Sequence, residues 1–175
     1  KTVCMINHLI RSALLSKLKN PRFAYIAPTF KQAKSIAWDY MKQFTDKIPY
    51  IKFNETELRV DLPNGSRITL LGSDSPDGLR GIYLDGCVID EYANVNSKLF
   101  PEIIRPALSD RKGYCVFIGT PAGMNNNFYE LYQHSQGAED WFNYKAKASE
   151  TKIVDPDELV KAKEVMGEKK YNQEF

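Results

Sequence analysis

Histidine and paired cysteine are scarce in this sequence, and long apolar runs and a dominant charge are missing altogether. The 175 residues include two histidines, His8 and His134, too few to anchor a zinc centre. Cys4, Cys87 and Cys115 stand singly with no Cys-x-x-Cys pair. That excludes a disulfide framework and reads as small core residues in a reducing compartment. No apolar stretch approaches the roughly 20 residues that span a bilayer, and no signal peptide is visible. The expectation is a soluble, cytoplasmic protein with no membrane partner. A formal charge of +2 excludes a strongly basic nucleic-acid surface, so any contact with DNA must be local or shared with other chains. Lys42, Lys47, Lys52, Arg111 and Lys112 are scattered, and most of them read as solvated faces. What remains is ordinary for a globular domain with a sizeable core: 43% apolar and 26% charged residues. The chain opens without Met, inside what reads as a helix, and is expected to be part of something longer.

Apolar residues at Val3, Ile6, Ile10, Ala13, Leu14 and Leu18 predict an amphipathic helix over residues 2–18, stopped by Asn20-Pro21. Phe23–Ala27 reads as a buried strand closed by Pro28, and a second helix starts near Thr29. Alternation over Glu57–Leu62, a Pro63-Asn64-Gly65 turn and Arg67–Gly72 predict a β-hairpin. A polar loop holding Asp74 and Asp77 leads through Arg80, with Asp85 a turn residue, to Gly86–Ile89. Helix signals resume from Ser97 to Leu108, with Pro106 expected to end or kink that helix. Tyr114–Ile118 reads as another buried strand. A short helix over 126–132, a strand over 141–147 and a last helix from Asp155-Pro156-Asp157-Glu158, with a capping box, complete the pattern. Helices alternating with apolar strands argue for a single α/β domain.

Gly86-Cys87-Val88-Ile89 runs straight into Asp90-Glu91. A strand apolar on both faces suits the middle of a parallel sheet, and two carboxylates at its end are costly unless used. In nucleotide hydrolases the first such acid holds Mg²⁺, directly or through water, and the second polarises the attacking water. A solvated turn would give the same string. Lys1-Thr2 heads an apolar helix, as at the end of a phosphate-binding loop, where lysine meets phosphates and the hydroxyl reaches Mg²⁺. The loop glycines are absent, so a chance dipeptide stays open. Thr120, in Gly119-Thr120-Pro121 after the next strand, is placed to sense a γ phosphate, or simply to make a turn. Arg80, in Leu79-Arg80-Gly81, is a candidate arginine finger or a plain surface residue.

The order Lys1-Thr2, Arg80-Gly81, Asp90-Glu91, Gly119-Thr120-Pro121 resembles the ATPase domain of phage large terminase subunits. Ala27-Pro28-Thr29, the hairpin around Asn64-Gly65 and Tyr171–Phe175 extend the resemblance through nearly the whole chain. It implies a phosphate-loop NTPase fold of the ASCE type: a mainly parallel central sheet flanked by helices, with a β-hairpin insertion, lacking its N-terminal strand and loop. Residues 1–175 would be one ATPase domain, truncated within the Walker A loop and followed by an RNase H-like nuclease domain. It further implies ATP and Mg²⁺ as cofactors, with Lys1 and Thr2 ending Walker A, and Thr2 and Asp90 serving the metal. Glu91 would be the catalytic base, Thr120 part of the coupling motif and Arg80 a trans-acting finger. The partners implied are double-stranded DNA, a terminase small subunit, a portal protein and further copies in a ring, docked transiently on a procapsid in the host cytoplasm. Lacking the loop, the fragment itself is expected to turn over ATP poorly. A helicase-like ATPase and a non-catalytic DNA-binding or assembly module are the competing readings. The first departs at Asp90-Glu91-Tyr92-Ala93, and the second predicts that Glu91→Gln changes little.

Overall fold

The computed structural model describes residues 1–151 and 153–175, with only the backbone given for Asp77 and Lys169. The chain divides into two compact units, Lys1–Gly119 and Thr120–Phe175.

The first unit is built on a six-stranded sheet in the order β2-β3-β4-β1-β5-β6. Its centre is parallel. β1 (Arg22–Ala27) lies between β4 (Arg67–Gly72) and β5 (Gly86–Ile89), and β5 pairs with β6 (Tyr114–Phe117). β2 (Lys52–Asn54) and β3 (Arg59–Asp61) add an antiparallel edge. β2 escaped the sequence reading because three residues are too short to show alternation. The predicted hairpin is therefore partly inside the sheet, since its return strand β4 pairs with β1. Gly65 turns it with a positive φ of 84°.

Helix α1 (Thr2–Leu15) buries Ile6, Leu9, Ile10 and Ala13 against the sheet face carrying Phe23, Tyr25, Ile68, Leu70 and Val88. It stops three residues short of the expected end. Asn64 Nδ2 donates to the carbonyls of Ala13 and Leu14 at 2.9 and 3.2 Å, and Ser66 Oγ donates to Ala13 O at 2.6 Å. These side chains satisfy carbonyls that a further turn would have used. The second helical stretch is α2 (Phe30–Ala33), a π turn (Lys34–Trp38) and α3 (Asp39–Thr45), contributing Ala33, Ala37, Trp38 and Met41 to the same core. Thr29 Oγ1 caps its start by accepting from Gln32 N. After β5, a π turn (Phe100–Ile104) runs into α4 (Arg105–Ser109), so the helix passes through Pro106 instead of ending there.

Several expectations fail here. Tyr114–Phe117 is the sheet's outermost strand and only half-buried. Cys4 is exposed and not a core residue, whereas Cys87 is buried as expected and pairs in register with Cys115, their sulfurs 3.4 Å apart; burial beside Cys87 pushes the Cys115 thiol upward. Arg111 is no solvated residue. Its Nε donates to Asp85 Oδ1 at 2.6 Å and its Nη2 to Lys19 O at 2.9 Å, while the guanidinium lies 4.9 Å from the Tyr83 ring centroid. Asp85 stands in a bend, but its carboxylate is buried and also accepts from Arg22 N at 2.7 Å. Asp74 accepts from Phe30 N at the head of α2; the Asp77 side chain lies outside the described residues.

The second unit holds α5 (Asn127–Ser135), α6 (Ala148–Thr151), α7 (Pro156–Met166) and α8 (Glu168–Glu174). Asn126 caps α5, accepting from Phe128 N and Tyr129 N. The strand expected over 141–147 does not form. Among the described residues no strand pairs with it, and Phe142 and Tyr144 are 86% and 78% exposed. A strand needs a ladder partner, and side-chain bonds between Asn143 and Ser135 fasten this stretch to α5 instead. Asp155 caps α7 as expected, while Glu158 pairs with Lys161 at 2.8 Å. Tyr171–Glu174, part of the stretch that extends the family resemblance, belongs to α8.

Candidate active site

In an open parallel sheet, ligands gather beyond the carboxyl ends of the strands. Asp90 and Glu91 stand there, directly after β5. Asp90 N donates to Ile26 O at 2.8 Å, which carries the β1–β5 pairing one residue past the strand and fixes where the carboxylates begin. The head of α1 arrives at the same place because the helix lies across the face that carries Tyr25 and Val88.

Four of the six sequence-predicted site residues are joined by direct hydrogen bonds. Lys1 Nζ donates to Glu91 Oε1 at 2.8 Å, and Thr2 Oγ1 donates to Asp90 Oδ2 at 2.8 Å. The Asp90 carboxylate is buried. Its Oδ1 accepts from Glu91 N at 2.8 Å, and its Oδ2 accepts from both the Thr2 and Tyr25 hydroxyls. All three donors are neutral, and among the described residues no lysine or arginine forms an ion pair with Asp90. A buried carboxylate held only by neutral donors sits where a cation is electrostatically favoured.

Glu91 follows with a left-handed backbone, φ 48° and ψ 47°. For a residue other than glycine this costs about 1–2 kcal/mol. It persists because Glu91 N is held by Asp90 Oδ1 and Glu91 O accepts from Asn94 N at 2.8 Å. The conformation turns the chain sharply off the strand, leaving the Glu91 side chain beside Lys1. That ion pair has side chains 40% and 33% exposed, so it contributes no more than about 1 kcal/mol and can yield to a stronger anion.

Tyr25 was missed by the sequence reading. The signal was a phenol in mid-strand in Arg22-Phe23-Ala24-Tyr25-Ile26-Ala27, since a fully buried tyrosine hydroxyl must find a partner. Burial first, then the hydrogen bond to Asp90 and its negative charge, push the Tyr25 phenol far above its ordinary value, so it stays a neutral donor. Of the other two predicted residues, Arg80 is half-exposed after a 3₁₀ turn (Pro76–Leu79) with its Nη2 3.7 Å from Glu102, and Thr120 is the first residue of the second unit.

The donor set suits a hard cation. Mg²⁺ takes oxygen ligands, keeps several waters and is held by one or two carboxylates together with substrate phosphates. The Thr2 hydroxyl and Asp90 carboxylate, already sharing Oδ2, are such a pair, and Lys1 adds a phosphate-binding cation at a helix head. The site therefore fits a metal–nucleotide complex. Among the described residues no helix is long and apolar enough to cross a membrane.

A sequence-family profile described as the N-terminal part of the terminase large subunit, T4-like-virus type, matches residues 1–166. The large terminase subunits of Thermus phage G20c and Thermus virus P23-45 are 31% and 30% identical over 126 residues, covering 61% of this chain. The chain spans only 26% of those relatives' length. Among solved structures, the large terminase of a thermophilic bacteriophage superposes with a TM-score of 0.81 at 15% identity, over 100% of this chain and 44% of that one. The same protein in complex with ADP gives 0.80 at 14%, over 99% and 44%. A variant of the Thermus phage P74-26 large terminase ATPase domain gives 0.72 at 20%, over 98% and 79%. At these identities the superpositions establish a shared fold, the ASCE phosphate-loop architecture of terminase ATPase domains.

Proposed function

Because the chain belongs to the family of terminase large-subunit N-terminal domains, we propose that it is the ATP-hydrolysing motor domain of a viral terminase, driving double-stranded DNA into a procapsid. The observation that carries this reading is the double contact of Lys1 with Glu91 and Thr2 with Asp90, which brings a helix-head lysine and hydroxyl onto two strand-end carboxylates.

Thr2 and Asp90 would hold Mg²⁺, which when bound neutralises charge on the phosphates. Lys1 binds the phosphates, exchanging its weak pairing with Glu91 for a more highly charged anion. Glu91, freed from that lysine, accepts a hydrogen bond from the attacking water and orients it toward the phosphorus, taking up its proton as the new bond forms. Tyr25 stays protonated behind Asp90 and keeps that carboxylate from acting as the base. In this reading Arg80 is a finger offered to a neighbouring subunit, released from Glu102 when the subunits meet, and Thr120 couples hydrolysis to movement. In the whole subunit so proposed, phosphate-loop glycines would precede Lys1 and a nuclease domain would follow the motor domain. A small subunit, a portal and a ring of identical motors complete the machine, which works in the host cytoplasm.

The test is ATP turnover, with and without double-stranded DNA, in a version extended N-terminally through a whole phosphate loop. Glu91→Gln should lower turnover by about 10²–10⁴ while nucleotide still binds. An extended protein that is inert with every DNA tried would instead make the acids structural.

A further inference from the structure

The Asp90 carboxylate has about four lone-pair directions available to donors. Three are taken: Glu91 N on Oδ1, and the Thr2 and Tyr25 hydroxyls on Oδ2. Thr2 and Glu91 come from the site itself. Tyr25 comes from the middle of β1, on the register pair Tyr25–Val88, and is fully buried. Its position is determined by the sheet and by the core around α1, not by anything that binds at the strand ends. A phenol has one rotatable proton on a rigid ring, so it can hold a carboxylate oxygen in one place more firmly than a water could.

We propose that Tyr25 is a positioning residue for the metal: its hydroxyl pins Asp90 Oδ2 from inside the sheet, so that the carboxylate cannot turn and the one lone-pair direction left on it, on Oδ1 beside the bond from Glu91 N, is held in place for the cation. Thr2 then keeps its proton on Oδ2 while its own oxygen lone pairs stay available to the cation. Without the phenol, Asp90 gains a second open direction toward the core, and its rotation is limited only by Glu91 N and a mobile hydroxyl. This inference rests on the nucleotide reading above, and it assigns metal affinity to a residue that touches neither metal nor nucleotide.

Tyr25→Phe removes the hydroxyl and keeps the ring in the core. In the N-terminally extended protein, binding of a fluorescent ADP is titrated with MgCl₂, and separately measured in excess EDTA. The expected result is a Mg²⁺ half-saturation about ten- to hundredfold higher than in the unsubstituted protein, as for other partners of metal ligands, with metal-free ADP binding unchanged. An unchanged Mg²⁺ half-saturation overturns the proposal, as does an equal loss with and without metal, which would mark a structural residue. If the unsubstituted protein shows no Mg²⁺-dependent ADP binding at all, the nucleotide reading falls and this inference with it. Should Tyr25→Phe fail to fold, NMR of carbon-labelled tyrosine in the unsubstituted protein decides. The Tyr25 ring signal must shift when Mg²⁺ is added to the ADP-bound form, and a signal that stays put overturns the proposal.

Discussion

Asp85 and Asp90 stand at opposite ends of β5, both buried, and the chain surrounds them in different ways. Asp85 meets a guanidinium: Arg111 Nε at 2.6 Å, with Arg22 N at 2.7 Å on the other oxygen. Arg111 is itself held by Lys19 O and lies over Tyr83, whose hydroxyl donates to Asn20 O. Every group there is bonded and the charge is neutralised. Asp90 has three neutral donors, two of them hydroxyls that can turn, and no cation among the described residues. Burial alone does not distinguish a structural acid from a functional one. The difference lies in whether the fold supplies the counter-charge or leaves it to a ligand.

Substitutions can break this contrast. The largest effect belongs to Arg111→Ala, which leaves Asp85 buried without its cation. Urea unfolding should show a loss of about 3 kcal/mol, at the low end for a buried pair because the arginine side chain is 27% exposed. Asp85→Asn should cost about 2 kcal/mol, because its amide oxygen can accept from only one of the two donors and its NH₂ must face the other, either the guanidinium or the backbone N–H, which can only donate. Asp90→Asn is the paired measurement. The Thr2 and Tyr25 hydroxyls can rotate to accept from the new amide, so stability should change by less than about 1 kcal/mol while ATP turnover in the extended protein is lost. If Asp90→Asn unfolds the chain as readily as Asp85→Asn, Asp90 is a structural acid and the distinction collapses. The smallest effect is Tyr83→Leu, which removes the ring under Arg22 and Arg111. About 1 kcal/mol should go from the Asp85 end, with Mg²⁺-dependent nucleotide binding untouched.

Much of the site was legible because its residues are named by local pattern. Lys1-Thr2 heads an apolar period, and Asp90-Glu91 ends an apolar run, so each dipeptide announced its place on an element. The β1 and β5 strands, the Asn64-Gly65 turn and the Asp155 cap were readable for the same reason. What escaped was decided by distant partners. Tyr25 is defined by a bond 65 positions along the chain and Asp85 by one 26 positions along. The end of α1 is set by Asn64 and Ser66, far outside any helical window. Residues 141–147 failed in the opposite sense: their local pattern suits a strand, but strand formation depends on a neighbour that the pattern cannot specify.

α1 is clamped at both ends. At its tail Asn64 and Ser66 hold its last carbonyls, and at its head Thr2 and Lys1 are tied to Asp90 and Glu91. Fourteen residues at about 1.5 Å each make a stiff rod of roughly 21 Å between those clamps. It behaves as a strut set between the hairpin and the strand ends. The backbone at Lys1 and Thr2 cannot retreat from the strand ends unless the rod slips at the hairpin too, so the gap that the proposed function assigns to phosphate and cation would have a width set in advance by the length of a helix.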